Sequence, residues 1–538
     1  MKNLSKYSLI IITIVFLGFI FMLYTFSNII HDAINSDVVN SYENLPKDIS
    51  EGDPLKYIND DYTMNEKFSS NLPLIIIELD SELPYYKEHD HVNGGVIYND
   101  IEPWTTGHIS IISNEKGINN INDEAKWQSS INVKRRGQTT YFYEKPQYTI
   151  RLVSDEAPQI DKEMNLFNMG SDNTWAIIGS VVDKSLIRNY LAYSIASEID
   201  ENTLDTKFCE VAVKDGESYT YQGVYLFSEK VSRSKNRVNI ENYNGVDKYS
   251  SYILRRDRYT PYDVIIDNYL RTDLGYDTYL GIKYPSEDEL NEVVLDYITE
   301  DFNKIEKTLY SEDLTTKKAY PEYIDIDSFV DYFLINEYFG NYDAGLHSTY
   351  MYKNYDNSLK IGPVWDFDQA MNNYYLVEQK TEYTAMQKKA FYEELIKDER
   401  FLEELMERYI ELRGTSLNEE YIVEKIDEIT EYIDSAKQRE WYRWYDPYFN
   451  QDYDASSYKL KDFVKNGVLV SRYNDDYEQE ILIIKTYLRK HGDSIANNIK
   501  TMKKEAEFTT DIKGYNTLIL LGVLILFALP SIILSKKG

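Results

Sequence analysis

Residues 336–373 read NEYFGNYDAGLHSTYMYKNYDNSLKIGPVWDFDQAMNN: a helix end, a loop, two short alternating runs and a second loop. An apolar-periodic segment (Phe329, Tyr332, Phe333, Ile335, Phe339) leads into a turn at Gly340 and Asn341. Asp343 stands just past that turn. The runs STYMYKN and SLKIGPVW, separated by a Tyr-Asp-Asn turn, predict a β-hairpin whose second strand ends in Asp366-Phe367-Asp368. One carboxylate after a helix and another at the end of a hairpin strand can converge on a single cation. Magnesium takes hard oxygen ligands and keeps water and substrate phosphate in its shell. Phosphoryl transfer uses such a pair, one Asp near the acceptor hydroxyl and one on the metal. Ordinary turn chemistry also places Asp and Asn at such positions, so the spacing alone does not choose.

The surroundings narrow the choice. The chain has 538 residues with 58 Lys plus Arg, 90 Asp plus Glu and a net charge of −32, which argues against a nucleic-acid partner. An acidic surface favours solubility and a basic protein partner. Its 51 tyrosines predict many half-buried rings with satisfied hydroxyls, and exposed ones could bind sugar or cell-wall material. The single cysteine, Cys209, rules out an intrachain disulfide and fits secreted and cytoplasmic settings alike.

From Ser8 to Ile30 the chain is apolar and uncharged, long enough to cross a bilayer as a helix. Lys2 and Lys6 precede it, which places the N-terminus in the cytoplasm. A cleaved signal peptide is the competing reading, but no small-residue cleavage site follows. A second apolar run, Leu518 to Leu534, contains Pro530, which a membrane helix tolerates, and ends in Ser535-Lys536-Lys537-Gly538. Two spans put both ends inside and the central part on the outer face of the cell membrane. Lys500, Lys503, Lys504 and Lys513 flank the second span on its other side, so orientation rests on the first. The expected divisions are a tail and span at 1–30, an acidic linker at 31–72, a core at 73–380, a helical part at 381–512 and the last span at 513–538.

Within the core, strands are expected at Leu74–Leu79, Gly95–Tyr98, Ile109–Ile112 and Ile131–Lys134. His89-Asp90-His91 lies between two of them and lacks the further ligands a zinc site needs. Ser130 to Leu152 reads as strand, turn and strand. Its turn, Arg136-Gly137-Gln138-Thr139-Thr140, can offer backbone N–H groups and hydroxyls to a phosphate. Asp183 or Ser185 can cap a helix whose apolar face is Ile187, Leu191, Ile195 and Ile199. Val211–Val213 and Tyr221–Lys230 predict a hairpin. Arg255-Arg256-Asp257-Arg258 is a local basic cluster able to hold phosphate or an acidic substrate, although solvated loops look the same. Helices are expected near 286–310, 325–339 and 475–507, and Arg439, Trp441, Arg443 and Trp444 form either an aromatic-basic surface or buried packing.

Together, GNYD…STYMYK…GPVWDFD, Arg136-Gly137 with Lys145 and Tyr148…Arg151-Leu152, DKSLIRN at Asp183–Asn189, Gly223-Val224-Tyr225-Leu226…Glu229-Lys230 and Arg237-Val238-Asn239-Ile240 resemble the CotH-like (spore coat protein H) atypical protein kinase family. The resemblance spans roughly residues 74 to 510. It implies an α+β kinase-like domain that takes ATP and Mg2+ and phosphorylates Ser or Thr of a surface or coat protein. Carried over, Asp343 takes a catalytic or metal role, Asp366 the metal-binding position and Asp368 that of a supporting ligand. Lys145 becomes the candidate for the α/β-phosphates, Arg136 belongs to the phosphate turn, Glu229 and Lys230 contact the nucleotide, and Arg188 orients the site. Many family members carry an Asn soon after the first Asp, where it ligates a second metal; here His347 and Ser348 stand there. That departure keeps open an inactive surface-binding pseudokinase. A glycoside hydrolase using Asp343 and Asp366 as its acid–base pair is the third alternative.

Overall fold

The computed structural model describes Tyr42, most of residues 45–449, the backbone of two short strands at Phe463–Lys465 and Val468–Val470, and residues 476–535 with side chains to 506. Inside 45–449 the stretches 51, 86, 90–95, 100–102, 115–116, 139, 180–181 and 375–377 fall outside the description.

Alternating apolar residues build the first half. Strands β1 (Leu74–Leu79), β2 (Thr105–Ile112), β3 (Trp127–Arg135), β4 (Tyr148–Val153) and β5 (Thr174–Ile178) are followed by helix α1 (Arg188–Ala196), then β6 (Thr206–Asp215) and β7 (Ser218–Glu229). They close a barrel in the order β5-β7-β6-β1-β2-β3-β4. Only the β6–β1 pairing within it is parallel; the other neighbours run antiparallel. Successive side chains of a strand face opposite ways. Ile75, Ile77, Ile109, Ile111, Ile131, Val133, Ile150, Leu152, Trp175 and Ile177 accordingly fill the interior. Leu74, Ile76, Ile112 and Ala212 point outward and are covered by Ile58, Met64 and Phe68.

That cover corrects the expected linker at 31–72. Its described part is packed: Phe68 is buried, Asp48 accepts from the Ser435 amide at 2.8 Å, and Asn71 donates to the Tyr432 carbonyl at 2.6 Å. Short-range composition reads as linker, but the tyrosines and Phe68 find partners far along the chain.

The second half adds a five-stranded sheet, β9-β10-β8-β11-β12, built from β8 (Tyr252–Asp257), β9 (Ile265–Ile266), β10 (Tyr279–Tyr284), β11 (Thr349–Lys353) and β12 (Lys360–Ile361). Helices α2 (Glu292–Leu309), α3 (Ile326–Phe339), α4 (Glu399–Arg413), α5 (Glu419–Tyr432), α6 (Asp434–Arg443) and α7 (Tyr477–Ser535) pack with that sheet and with α1 around one large apolar cluster. Every residue of α1 is buried, which explains why its sequence lacks a polar stripe. The mixed α+β architecture matches the expected fold class.

Among the described residues, no helix is long and apolar enough to cross a membrane. The first expected span, Ser8 to Ile30, lies outside them; the second lies on α7, beyond the point where its side chains are described. His89 ends a short strand (Lys87–His89), while Asp90 and His91 are also outside. Arg439, Trp441, Arg443 and Trp444 pack α6 onto the barrel and its surroundings. Arg439 pairs with Glu210 at 2.7 Å, and the Trp444 indole donates to the Gln222 carbonyl at 2.8 Å.

Candidate active site

Between barrel and sheet lies a polar cavity of about 350 Å³. Two loops supply its acidic wall. The first begins where α3 stops: Gly340 takes φ 66°, a left-handed C-cap that glycine adopts without steric cost. Asn341 follows and donates to the Asp366 carbonyl at 3.2 Å, tying this loop to the second. Asp343 then enters the cavity lining, with the backbone amide of His347 donating to its carbonyl at 2.8 Å.

The second loop leaves the hairpin β11–β12 and presents Asp366 and Asp368. Asp366 has φ 68°, a conformation Asp adopts more readily than most residues. Four contacts impose it. The Asp366 amide donates to the Tyr193 hydroxyl at 3.1 Å, and the Phe367 amide to Asn189 at 2.6 Å. The Ser348 hydroxyl donates to Asp366 Oδ2 at 3.2 Å. Phe367 is wedged between Phe339 and Tyr193, with ring centroids 5.8 and 5.9 Å away.

The electrostatics follow from this crowding. Burial and then the neighbouring Asp343 push the Asp366 carboxyl up to about 6, against the pull of Arg136 and the Ser348 hydrogen bond. Asp368 is raised well above the ordinary value by burial and then by Asp366. Carboxylates that penalise one another's ionisation lack positive charge, which a cation would supply. Among the described residues no three His, Cys, Asp or Glu side chains form a ready metal cage. The donors do fit magnesium, which commonly takes one or two carboxylates and completes its shell with water and phosphate.

Cations line the same cavity. Arg136 lies 5.3 Å from the Trp365 ring, and Lys134, Lys230, Arg255, Arg258 and Lys283 also line the cavity. A hairpin of Lys87–His89 and Val96–Tyr98 reaches over from the barrel side: Lys87 donates to the Gly137 carbonyl at 2.6 Å, and Tyr98 to the Tyr259 carbonyl at 3.3 Å.

The chain thus gathers Asp343, Asp366, Asp368, Arg136 and Lys230 around one cavity and leaves three other candidates outside its lining. Lys145 is fully buried against Glu440 at 2.6 Å. Glu229 accepts from the Asp205 amide at 2.9 Å and faces Arg237 at 3.5 Å. Arg188 pairs with Asp183 and with Glu480 at 2.7 Å, and donates to the Ala370 carbonyl at 3.0 Å, so it braces the Asp366 loop from behind. Tyr193, Lys283 and Asp263 were not expected in the lining. Tyr193 sits one helical turn after Asn189 and shares its face, a signal the sequence does contain. Lys283 and Asp263 are brought in by sheet pairing and carry no local signal.

The CotH kinase protein family model matches residues 133–467, more than half of the chain and all of the acidic wall. The chain belongs to this family. No curated protein matches it. Membership in the CotH family implies ATP-dependent phosphoryl transfer as the chemistry against which the cavity is to be read.

Proposed function

We propose that this CotH-family chain transfers the γ-phosphoryl group of ATP to a Ser or Thr hydroxyl of a protein. The observation that carries the reading is the gathering of Asp343, Asp366, Asp368, Arg136 and Lys230 around one cavity. Asp366 and Asp368 would hold Mg2+, with the Ser348 hydroxyl beside them; bound there, the ion neutralises charge on the phosphates. Arg136 and Lys230 orient the phosphate oxygens. Asp343 receives the proton of the acceptor hydroxyl as its oxygen bonds to the γ-phosphorus and the bond to ADP breaks. The buried Tyr193, Asn189 and Asn341 contacts keep Asp366 in place without rearrangement.

The apolar runs Ser8–Ile30 and Leu518–Leu534 support a membrane-anchored protein whose catalytic part faces outward, toward surface or coat proteins. A second reading, a pseudokinase that binds without transferring, is favoured by His347 and Ser348 standing where many family members carry an Asn and by the confinement of Lys145. Radiolabelled ATP with the purified full-length chain, beside Asp343→Asn and Asp366→Asn, separates the two. Transfer by the parent alone supports the kinase; magnesium-dependent ATP binding without transfer by any of the three supports the pseudokinase.

A further inference from the structure

The second-sheet wall of the cavity carries positive charge that the transfer chemistry above does not use. On β8, Arg255 and Arg256 face opposite ways, as strand neighbours must. Arg256 turns into the core, 3.3 Å from Glu306, while Arg255 turns to the cavity. There Arg255 and Lys283 of β10 share one carboxylate, Asp263, with Arg255 bonded to it at 2.9 Å. Gly281 makes the sharing possible. It lies opposite Arg255 in register, and a Cβ there would meet Asp263 Oδ2 at 2.7 Å, so only glycine leaves the carboxylate room over the strand.

Arg255 and Lys283 side chains keep 20% and 24% of their surface open, whereas Asp257 and Asp263, which line the same wall, keep 7% and 10%. Arg258, exposed just past the end of the strand, adds a third cation, and among the described residues no acidic side chain pairs with it. Burial and the adjacent Arg255 draw the Lys283 ammonium down to about 8, as expected where cations outnumber carboxylates. In a chain of net charge −32 this wall is a local reversal.

We propose that Arg255, Arg258 and Lys283 form an oxyanion subsite for the acceptor, so that the Ser or Thr taken by this chain is flanked by a carboxylate or an already phosphorylated residue. Assigning the subsite to the acceptor rests on the phosphotransferase reading; its preference for an oxyanion does not. The nucleotide phosphates are left to Arg136 and Lys230, which follow the barrel strands β3 and β7.

The test is fluorescence anisotropy with the full-length protein and two labelled serine peptides, one flanked by glutamates and its twin by glutamines. Labelled ATP with Mg2+ is titrated separately. The glutamate peptide binds about tenfold tighter or better. Arg258→Glu and Lys283→Gln each remove most of that preference and leave ATP affinity within about twofold. Arg258 is exposed, and among the described residues no acidic side chain pairs with it, so its reversal keeps the fold. Equal binding of the two peptides overturns the proposal, as do variants that lose ATP but keep the peptide preference, which would give the cluster to the nucleotide. If the parent prefers the glutamate peptide and binds no ATP, the subsite stands and the phosphotransferase reading falls.

Discussion

Lys145 donates to Glu440 at 2.6 Å, and neither side chain is open to solvent. Glu440 also accepts from the Val224 amide and from the Tyr448 hydroxyl, both at 2.7 Å, so the pair welds α6 to the barrel rather than reaching for phosphate. Removing one partner of a buried pair strands the other charge, at about 3–5 kcal/mol. Lys145→Met therefore lowers the melting temperature sharply. Lys145→Met with Glu440→Gln, which removes the stranded charge and keeps an acceptor for the Val224 amide, recovers part of the loss, and folded Lys145→Met binds ATP about as the parent does. A thermal melt and a nucleotide titration check both.

Arg188 acts on the site at one remove. It joins Asp183, Glu480 and the carbonyls of Ala370 and Met371 without touching the cavity. Arg188→Gln takes the paired cation from the buried Asp183, leaves Glu480 to Lys184 at 3.8 Å, and frees the loop that carries Asp366. A loss of about 3–5 kcal/mol is expected in urea unfolding.

Ser348 offers a finer probe. Its hydroxyl donates to Asp366 Oδ2 at 3.2 Å, and losing a group that orients a metal ligand typically costs about 10–100-fold in metal affinity. Ser348→Ala is expected to raise the Mg2+ concentration needed for half-maximal ATP binding by about that factor, while Ser348→Thr, which keeps the hydroxyl, loses less. Magnesium titrations at fixed ATP measure it.

Much of this was legible in the sequence. Leu74–Leu79 emerges at the expected bounds because four consecutive apolar residues between turn signals leave little else for them to be. The helix ending at Gly340, the hairpin after it and the two acidic loops follow from local periodicity and turn chemistry. Barrel closure was not legible: β6 meets β1 in parallel across a long stretch of chain, and no local pattern encodes that. The same limit hid the fate of Lys145. A lysine before Pro146 looks exposed until α6, far downstream, brings Glu440 to it. Lys283 and Asp263 entered the cavity for a like reason, through their pairing across Gly281.

His491 gives the fold a pH dependence. Its ring nitrogens lie 2.7 Å from the Thr381 and Glu337 carbonyl oxygens, and acceptors on both sides require both nitrogens to donate. Burial pulls its pKa down, but the Glu337 side chain and these carbonyls outweigh it and hold the imidazolium above its ordinary range. A raised folded-state pKa stabilises fully below the unfolded value near 6.5, and that contribution is lost as pH rises through the folded value. Stability therefore falls on moving from pH 6 into the alkaline range, and His491→Gln flattens the slope. Melting curves across that range show it.

The most direct measurement is calorimetric titration of the full-length protein with ATP, with and without Mg2+, beside Asp343→Asn and Asp366→Asn. Each variant removes one of two mutually repelling carboxylates, so neither should melt below the parent. Magnesium-dependent binding by the parent, weakened about 100-fold or more in Asp366→Asn and nearly unchanged in Asp343→Asn, whose carboxylate takes the proton rather than the metal, is the predicted result. Equal binding by the parent and Asp366→Asn, or none by a folded parent, would contradict a metal-nucleotide site at Asp366.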